Sequence, residues 1–185
     1  MPYAQRSVSR RVLDADQIRR AIARIAHEII ESAEDDMRLV GVRTRGVPMA
    51  GRLAAAVRKA AGIEVPLGSL DINLYRDDLT TVAAQPVVRA TELGFPINDT
   101  VVILVDDVLY TGRTTRAAMD ALADFGRPRK IKLAVLIDRG HRELPIRADY
   151  VGRNIPTARD EKIRVRFTET DGVDDVLIER KEASA

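Results

Sequence analysis

Three short apolar runs, separated by helical patterns, constrain the fold more than any other feature of this sequence. The runs are RLVGV at residues 38–42, VVILV at 101–105 and LAVLI at 133–137. Each run is apolar on both faces of a strand, which is typical of parallel strands covered by helices on both sides. The sequence therefore predicts an α/β protein with a mainly parallel central sheet flanked by helices.

Helical spacing places the first helix just after Asp14, a residue type that often caps helix N-termini. The apolar stripe of this helix is formed by isoleucines three or four residues apart, which are Ile18, Ile22, Ile25 and Ile29. Further helices are predicted at 46–62, ending at Gly62, and at 114–125.

Shorter segments give weaker patterns. The stretch 63–78 resembles a strand interrupted by Pro-Leu-Gly, and PVVRATELGF at 86–95 predicts another short strand. KIRVRF at 162–167 alternates like an exposed or edge strand. No element is predicted within the basic stretch 139–156, and ERKEASA at the end of the chain reads as a disordered tail.

Length and composition narrow the classes of protein. A chain of 185 residues fits a single domain over 1–185, and we expect residues 1–10 and 180–185 to be poorly ordered. The absence of cysteine excludes disulfides and thiolate metal sites, and two histidines do not favour a histidine-rich metal site. A net charge of +2 means that any contact with a polyanion must come from local clusters of basic residues.

The N-terminal sequence MPYAQRSVSRRVL lacks the apolar core of a signal peptide, and no apolar run in the chain is long enough to span a bilayer. We therefore expect a cytoplasmic protein with no membrane partner.

The VVILV strand leads directly into two adjacent carboxylates, Asp106 and Asp107, and then into the small and hydroxyl-rich loop TGRTT. The carboxylate pair alone would read as a solvated turn. The loop supplies hydroxyls and backbone N–H groups at a helix N-terminus, which favour a phosphate monoester. The expected phosphate-binding residues are Thr111, Gly112, Thr114 and Thr115.

The carboxylates would repel that phosphate, so they fit neutral hydroxyls or a bound cation on the same ligand. Ribose 5-phosphate offers both a phosphate and vicinal hydroxyls. Other phosphate motifs do not match, because GVPMAGRL at 46–53 lacks the lysine and the hydroxyl of a P-loop and no GxGxxG occurs.

VILVDDVLYTGRTT resembles the motif with which type I phosphoribosyltransferases bind phosphoribosyl pyrophosphate (PRPP), and VRTRG at 42–46 resembles their pyrophosphate loop. The resemblance implies the type I phosphoribosyltransferase fold, which adds a small hood and a flexible loop to the central sheet. It also implies that the acid pair holds the ribose hydroxyls and that the following loop holds the 5-phosphate.

Longer segments resemble the PyrR proteins over most of residues 12–167, and the segment from Leu133 to Thr157 is the most specific of them. This resemblance implies conversion of uracil and PRPP to UMP and pyrophosphate, with Mg²⁺ as cofactor. It also implies regulation of pyrimidine-operon mRNA, through its leader, in response to UMP or UTP, and a homo-oligomer. A plain phosphoribosyltransferase without an RNA role remains the alternative.

Carried onto this sequence, the resemblance assigns catalysis to Asp106, Asp107 and Arg45, and it assigns Mg²⁺ binding, through PRPP, to the two aspartates. Arg76 and Arg89 belong to the expected flexible loop over PRPP. The full set of expected substrate-binding residues is Thr44, Arg45, Arg76, Arg89, Asp106, Asp107, Val108, Leu109, Tyr110, Thr111, Gly112, Arg113, Thr114 and Arg139.

A candidate RNA surface begins on the first helix, opposite its isoleucine stripe. On a wheel of about 100° per residue, that face holds Arg20, Arg24, His27 and Glu31. A solvated face or a subunit contact is the plainer interpretation. The resemblance to PyrR proteins instead implies RNA binding by His27, Arg142, Arg147 and Arg153. Ala23 stands where that family often has a hydroxyl residue, which puts one expected RNA contact in doubt.

Overall fold

A five-stranded sheet and a three-stranded sheet form the framework of the protein in a computed structural model that describes residues 7–73 and 91–181. In chain order the strands are β1 (Ser7–Leu13), β2 (Met37–Val42), β3 (Leu67–Leu70), β4 (Val101–Leu109), β5 (Lys130–Asp138), β6 (Tyr150–Asn154), β7 (Glu161–Arg166) and β8 (Asp175–Lys181). The helices are α1 (Ala15–Glu31), α2 (Gly46–Ala61), α3 (Arg113–Ala123) and the short α4 (Thr168–Asp171).

The larger sheet has the order β3-β2-β4-β5-β6, and all of its strand pairs are parallel. The predicted parallel sheet is therefore confirmed. Its three apolar runs became β2, β4 and β5, which lie side by side. Because parallel strands end at the same edge, the segments that follow these strands meet there.

Helices cover both faces of the central sheet, as the two-sided apolar runs predicted. Val101, Ile103 and Val105 pack with the buried residues of α1 and α2. Val102 and Leu104 point to the other face and pack with the buried residues of α3. This alternation along β4 explains why the sequence shows no polar position between residues 101 and 105.

The start of α1 and the end of α2 are capped by the predicted residues, Asp14 and Gly62. The carboxylate of Asp14 accepts a hydrogen bond from the backbone of Gln17 at 2.8 Å, and the Gln17 side chain accepts one from the Asp14 backbone at 3.0 Å. This reciprocal arrangement is a capping box. The α2 helix ends at Ala61, with Gly62 as its C-cap.

The smaller sheet has the order β1-β8-β7 and is antiparallel; together with α4 we call it the hood. The expectation of poorly ordered ends is wrong for residues 7–10 and 180–181, because β1 and β8 pair along their length, from Ser7 opposite Lys181 onwards. The mixed polar sequence SVSRRVL gave no strand signal, since much of β1 is exposed.

Other short elements also differ from the sequence prediction. The interrupted strand predicted at 63–78 is only β3 within the described residues. Of the strand predicted at 86–95, residues 91–95 contribute an isolated bridge between Glu92 and Ser69, and the rest lies outside the described residues. The basic stretch 139–156 contains β6, whose exposed polar end hid the strand pattern.

None of the helices in the described part of the chain is long and apolar enough to cross a membrane.

Candidate active site

The candidate site lies at the carboxyl edge of the central sheet, where two neighbouring strands lead into helices. The loop at 43–46 connects β2 to α2, and the loop at 110–115 runs from β4 into the first turn of α3. Gly41 of β2 is paired with Val105 of β4, so the two loops emerge side by side. The sequence motifs that suggested a pyrophosphate loop and a ribose-phosphate loop are thus brought together.

The two aspartates at the end of β4 are held by their own backbone. Asp106 is only 9% exposed, and one of its carboxylate oxygens accepts the N–H of Asp107 at 2.9 Å. Asp107 is half-buried and accepts the N–H of Val108 at 3.0 Å. Burial raises the pKa of Asp107, while a hydrogen bond with Asp106 and the charge of Arg45 act in the opposite direction.

The 110–115 loop encloses a cavity of about 300 Å³ together with residues 108 and 109 and Glu143. Gly112 caps α3 with a φ of 94°, a backbone conformation that favours glycine. The first backbone N–H groups of α3 face no helical acceptor, so this cavity is suited to an anion. The hydroxyl of Thr111 already accepts one of them, from Arg113 at 3.3 Å.

The 43–46 loop is pressed against β4. A Cβ on Gly46 would lie 2.2 Å from the carbonyl oxygen of Val105, so only glycine allows this approach. The peptide bond between Arg43 and Thr44 is cis. Thr44 lines a cavity of about 380 Å³ that reaches Glu169 and Thr170 in the hood. This loop therefore lies between the acid pair and the hood.

Arg45 is held between acidic groups. Its guanidinium donates two hydrogen bonds to the carboxylate of Asp171 in the hood, from Nη2 at 2.8 Å and from Nε at 3.2 Å. This pairing, with a smaller contribution from the charge of Asp107, raises the pKa of Arg45. Asp171 lies 126 residues away in the chain, so no sequence motif pointed to it.

Arg139 is 5% exposed and donates to the hydroxyl of Thr157 at 2.9 Å and to the carbonyl of Glu161 at 2.8 Å. Its guanidinium also lies 3.9 Å from the centroid of the Tyr110 ring. The structure therefore gives Arg139 a supporting contact with the 110–115 loop, and its direct contact with a ligand stays a prediction. Arg76 and Arg89 lie outside the described residues.

The four residues predicted to bind RNA do not share one environment. His27 is exposed on α1, as the helix wheel predicted. Arg153 lines a groove of about 410 Å³ between α1 and β6, together with Arg20 and Arg24. Arg147 is exposed on the segment before β6. His27 and Arg153 therefore lie on or beside α1, whereas Arg147 is on a separate segment whose neighbours Ile146 and Ala148 pack with the α3 cluster.

Arg142 differs from the other three because its side chain is turned inward. It forms an ion pair with Asp138 and donates to the carbonyl of Tyr110 at 2.8 Å and to that of Ile146 at 2.9 Å. A guanidinium with three such partners ties the 110–115 loop to the segment that follows β5. Its primary contact in this structure is with the protein rather than with solvent.

The burial of Asp107 leads to a prediction about stability. When folding raises the pKa of a carboxyl group, the folded protein holds the proton more tightly than the unfolded chain does. The free energy of unfolding therefore falls as pH rises through the folded pKa and the group becomes charged. Asp107→Asn keeps the oxygen that accepts the Val108 N–H and removes the charge. We expect an equal or higher melting temperature than wild type at pH 7, and a smaller difference at pH 4, by thermal unfolding.

Asp120→Asn, at an exposed position of α3, is the control and should change the melting temperature little at either pH. A clear loss of stability in Asp107→Asn at pH 7 would contradict the account of this carboxylate.

Comparison with known proteins agrees with this geometry. Residues 9–168 match the family model described as "Phosphoribosyl transferase domain". The chain is 61% identical to the "Bifunctional protein PyrR" of Deinococcus radiodurans over 165 residues, covering 88% of this chain and 90% of that protein. It is 60% identical to the protein of the same name from Roseiflexus sp., over 95% of this chain and 98% of that one.

Solved structures agree on the fold at much lower sequence identity. A hypoxanthine phosphoribosyltransferase of Trypanosoma cruzi superposes with a TM-score of 0.72 at 21% identity, covering 95% of this chain and 97% of that chain. The hypoxanthine phosphoribosyltransferase of Staphylococcus aureus gives a TM-score of 0.68 at 18% identity, with 90% of each chain covered. The fold is that of the type I phosphoribosyltransferases, and the chain belongs to the PyrR family.

Proposed function

We propose that this chain converts uracil and PRPP to UMP and pyrophosphate at the edge formed by β2 and β4. We propose also that it binds pyrimidine-operon mRNA in response to uridine nucleotides, at the level of transcription or of translation. The observation that carries the enzymatic proposal is the juxtaposition of Arg45 with the acid pair and the 110–115 loop. The high identity to proteins named as bifunctional supports a second activity.

PRPP carries three groups that match three parts of the site in spatial order. The 5-phosphate fits the cavity of the 110–115 loop, where N–H groups and hydroxyls converge at the start of α3. The ribose hydroxyls fit the carboxylates of Asp106 and Asp107, which accept hydrogen bonds. The pyrophosphate fits the 43–46 loop, where Arg45 supplies a planar cation with donors suited to phosphate oxygens.

The carboxylates also fit the expected Mg²⁺. No group of three or more His, Cys, Asp or Glu side chains in the described residues could hold a metal by itself. Mg²⁺ is commonly held by one or two carboxylates together with substrate phosphates and waters, which matches an acid pair next to a pyrophosphate site. When bound with PRPP, the ion would neutralise charge on the leaving pyrophosphate.

In the reaction a bond forms between a uracil nitrogen and the anomeric carbon, while the bond from that carbon to the pyrophosphate oxygen breaks. The leaving pyrophosphate takes the electron pair, and the proton of the attacking uracil nitrogen is released to solvent. Arg45 stabilises the negative charge that develops on the leaving group. Asp106 and Asp107 hold the ribose and place two negative charges near an oxocarbenium-like transition state.

The acid pair provides the test of the enzymatic proposal. We expect Asp106→Asn and Asp107→Asn each to reduce UMP formation about ten- to a hundredfold, because an amide loses the charge-assisted hydrogen bonds to the ribose. The measurement is kcat/KM for PRPP with uracil as the second substrate. Asp120→Asn serves as control and should behave like wild type. Unchanged turnover in both variants would remove the ribose-binding assignment.

RNA binding is supported by the basic surface of α1 and β6. Arg20, Arg24 and Arg153 line one groove, and such groups neutralise the phosphates of a nucleic acid backbone. Arg147 makes no hydrogen bond or ion pair with the described residues, so its charge is available to a ligand. The inward side chain of Arg142 is instead suited to holding the 110–115 loop.

Substitution of individual arginines distinguishes residues that contact RNA directly from residues that only hold the protein in shape. Arg147→Ala and Arg153→Ala should each weaken binding to a pyrimidine-leader hairpin and flatten the dependence of log affinity on log salt by about 0.7 to 0.9. His27→Ala should weaken binding as well, with a smaller change of slope. Arg142→Ala should leave the slope unchanged and lower the melting temperature, because it removes bonds to Tyr110 and Ile146. Filter binding with UMP at two salt concentrations measures these effects.

Arg58→Ala, an exposed position in the last turn of α2, is the matched control and should bind RNA like wild type. The alternative, a phosphoribosyltransferase whose basic faces contact other subunits of a homo-oligomer, predicts a different pattern. In that case the variants would bind the hairpin like wild type and change the oligomeric state in sedimentation. That result would contradict the RNA proposal and leave the enzymatic one standing.

A further inference from the structure

One ion pair that joins the hood to the candidate active site is formed by Asp171 and Arg45. Both Nε and Nη2 of Arg45 donate to the carboxylate, at 3.2 and 2.8 Å. The Asp171 side chain is 13% exposed and that of Arg45 is 33% exposed, so the pair is partly shielded from water. Such a fork-to-fork arrangement fixes the plane of a guanidinium as well as its position.

The hood holds the carboxylate of Asp171 in place before any ligand arrives. Its Oδ2 accepts the backbone N–H of Phe167 at 3.1 Å and the hydroxyl of Thr170 at 2.7 Å. The hydrogen bonds from Arg45, followed by those from Thr170 and Phe167, lower the pKa of Asp171 far below its usual range. Arg45 is therefore paired with a carboxylate that the hood already holds in position.

The Asp171 carboxylate occupies only one edge of the Arg45 guanidinium. Arginine has five N–H donors, and the Asp171 carboxylate engages the edge formed by Nε and Nη2. Arg45 makes no other side-chain hydrogen bond with the described residues. The edge formed by Nη1 and the second hydrogen of Nη2 is thus able to receive a second anion while Asp171 stays bound.

The alternative partner of Arg45 is the acid pair itself. The charge of Asp107 already acts on Arg45 in this structure. Among the described residues, Asp107 is the other carboxylate whose charge acts on this guanidinium. A contact between the two would occupy the carboxylate proposed to hold ribose and would take the arginine away from the pyrophosphate.

We propose that Asp171 is a positioning residue for PRPP. Asp171 holds one edge of the Arg45 guanidinium, so that the other edge faces the pyrophosphate and Arg45 does not pair with Asp107. This inference rests on the proposed function of the site. It assigns to the hood a part in substrate binding, exerted through Arg45 rather than through contact with the ligand.

A purely structural role for Asp171 can be separated, because another cluster attaches the hood to α2. Arg52 pairs with Glu169 at 2.6 Å and with Asp174 at 2.7 Å, and its guanidinium lies 4.9 Å from the centroid of the Phe167 ring. Asp174, just before β8, therefore pairs with Arg52 much as Asp171 pairs with Arg45. Its pair lies away from the 43–46 loop. Asp174 provides a matched control.

The experiment measures PRPP binding to the full chain by titration calorimetry in MgCl₂, together with the KM values for PRPP and uracil. Asp171→Asn should weaken PRPP binding about tenfold, since it removes one charge-assisted pair. The KM for uracil should stay within about twofold of wild type. Asp171→Glu, which keeps the charge, should restore part of the affinity. Asp174→Asn should lower the melting temperature without changing PRPP affinity.

A double-mutant cycle gives the sharpest comparison. In the Arg45→Ala background, Asp171→Asn should cause no further loss of PRPP affinity, because the residue through which it acts is gone. Equal losses in both backgrounds, or an Asp174→Asn variant as weak as Asp171→Asn, would show that Asp171 acts through the folding of the hood and would overturn the inference.

Failure of the proposed function has a different signature. If the wild-type chain bound no PRPP in MgCl₂, the functional assignment would be wrong and this inference would fall with it. If the wild type bound PRPP and Asp171→Asn bound it equally well, only the inference about Asp171 would be wrong.

Discussion

The parallel pairing of β2 with β4 is the constraint on which the candidate site depends. It sets Gly41 opposite Val105 and thereby places the loop that follows β2 against the end of β4. The approach is so close that a Cβ on Gly46 would overlap the carbonyl of Val105. The basic loop, the acid pair and the 110–115 loop are consequently built on one rigid edge, which is where ligands of parallel sheets bind.

Charge is distributed unevenly along this edge. Burial opposes ionisation of Asp107, whereas the carboxylate of Asp171 is stabilised as an anion by Arg45 and by its own hood. Arg45 lies between them as the shared counter-charge. A ligand that brings both hydroxyls and a pyrophosphate satisfies the two sides of this arrangement, which links the local electrostatics to the choice of PRPP as substrate.

The central part of the fold could be predicted from sequence because each core strand is a continuous apolar run ending at a recognisable loop. The pair Asp106–Asp107 and the 43–46 loop could be proposed as site residues for the same reason. Of the hood strands, β7 was predicted from the alternation of KIRVRF, whereas β1 was missed because its mixed polar sequence carries no simple alternation. The proposed role of Asp171 and the inward position of Arg142 depend on contacts made after folding, across 126 and 32 residues respectively.

The most direct test of the account is a crystal structure of the full chain with UMP. We expect the phosphate to lie in the 110–115 cavity, within hydrogen-bond distance of the N–H groups at the start of α3, and the ribose hydroxyls to contact Asp106 and Asp107. UMP bound in the groove between α1 and β6, or with its phosphate outside the 110–115 loop, would contradict the assignment of this edge as the active site.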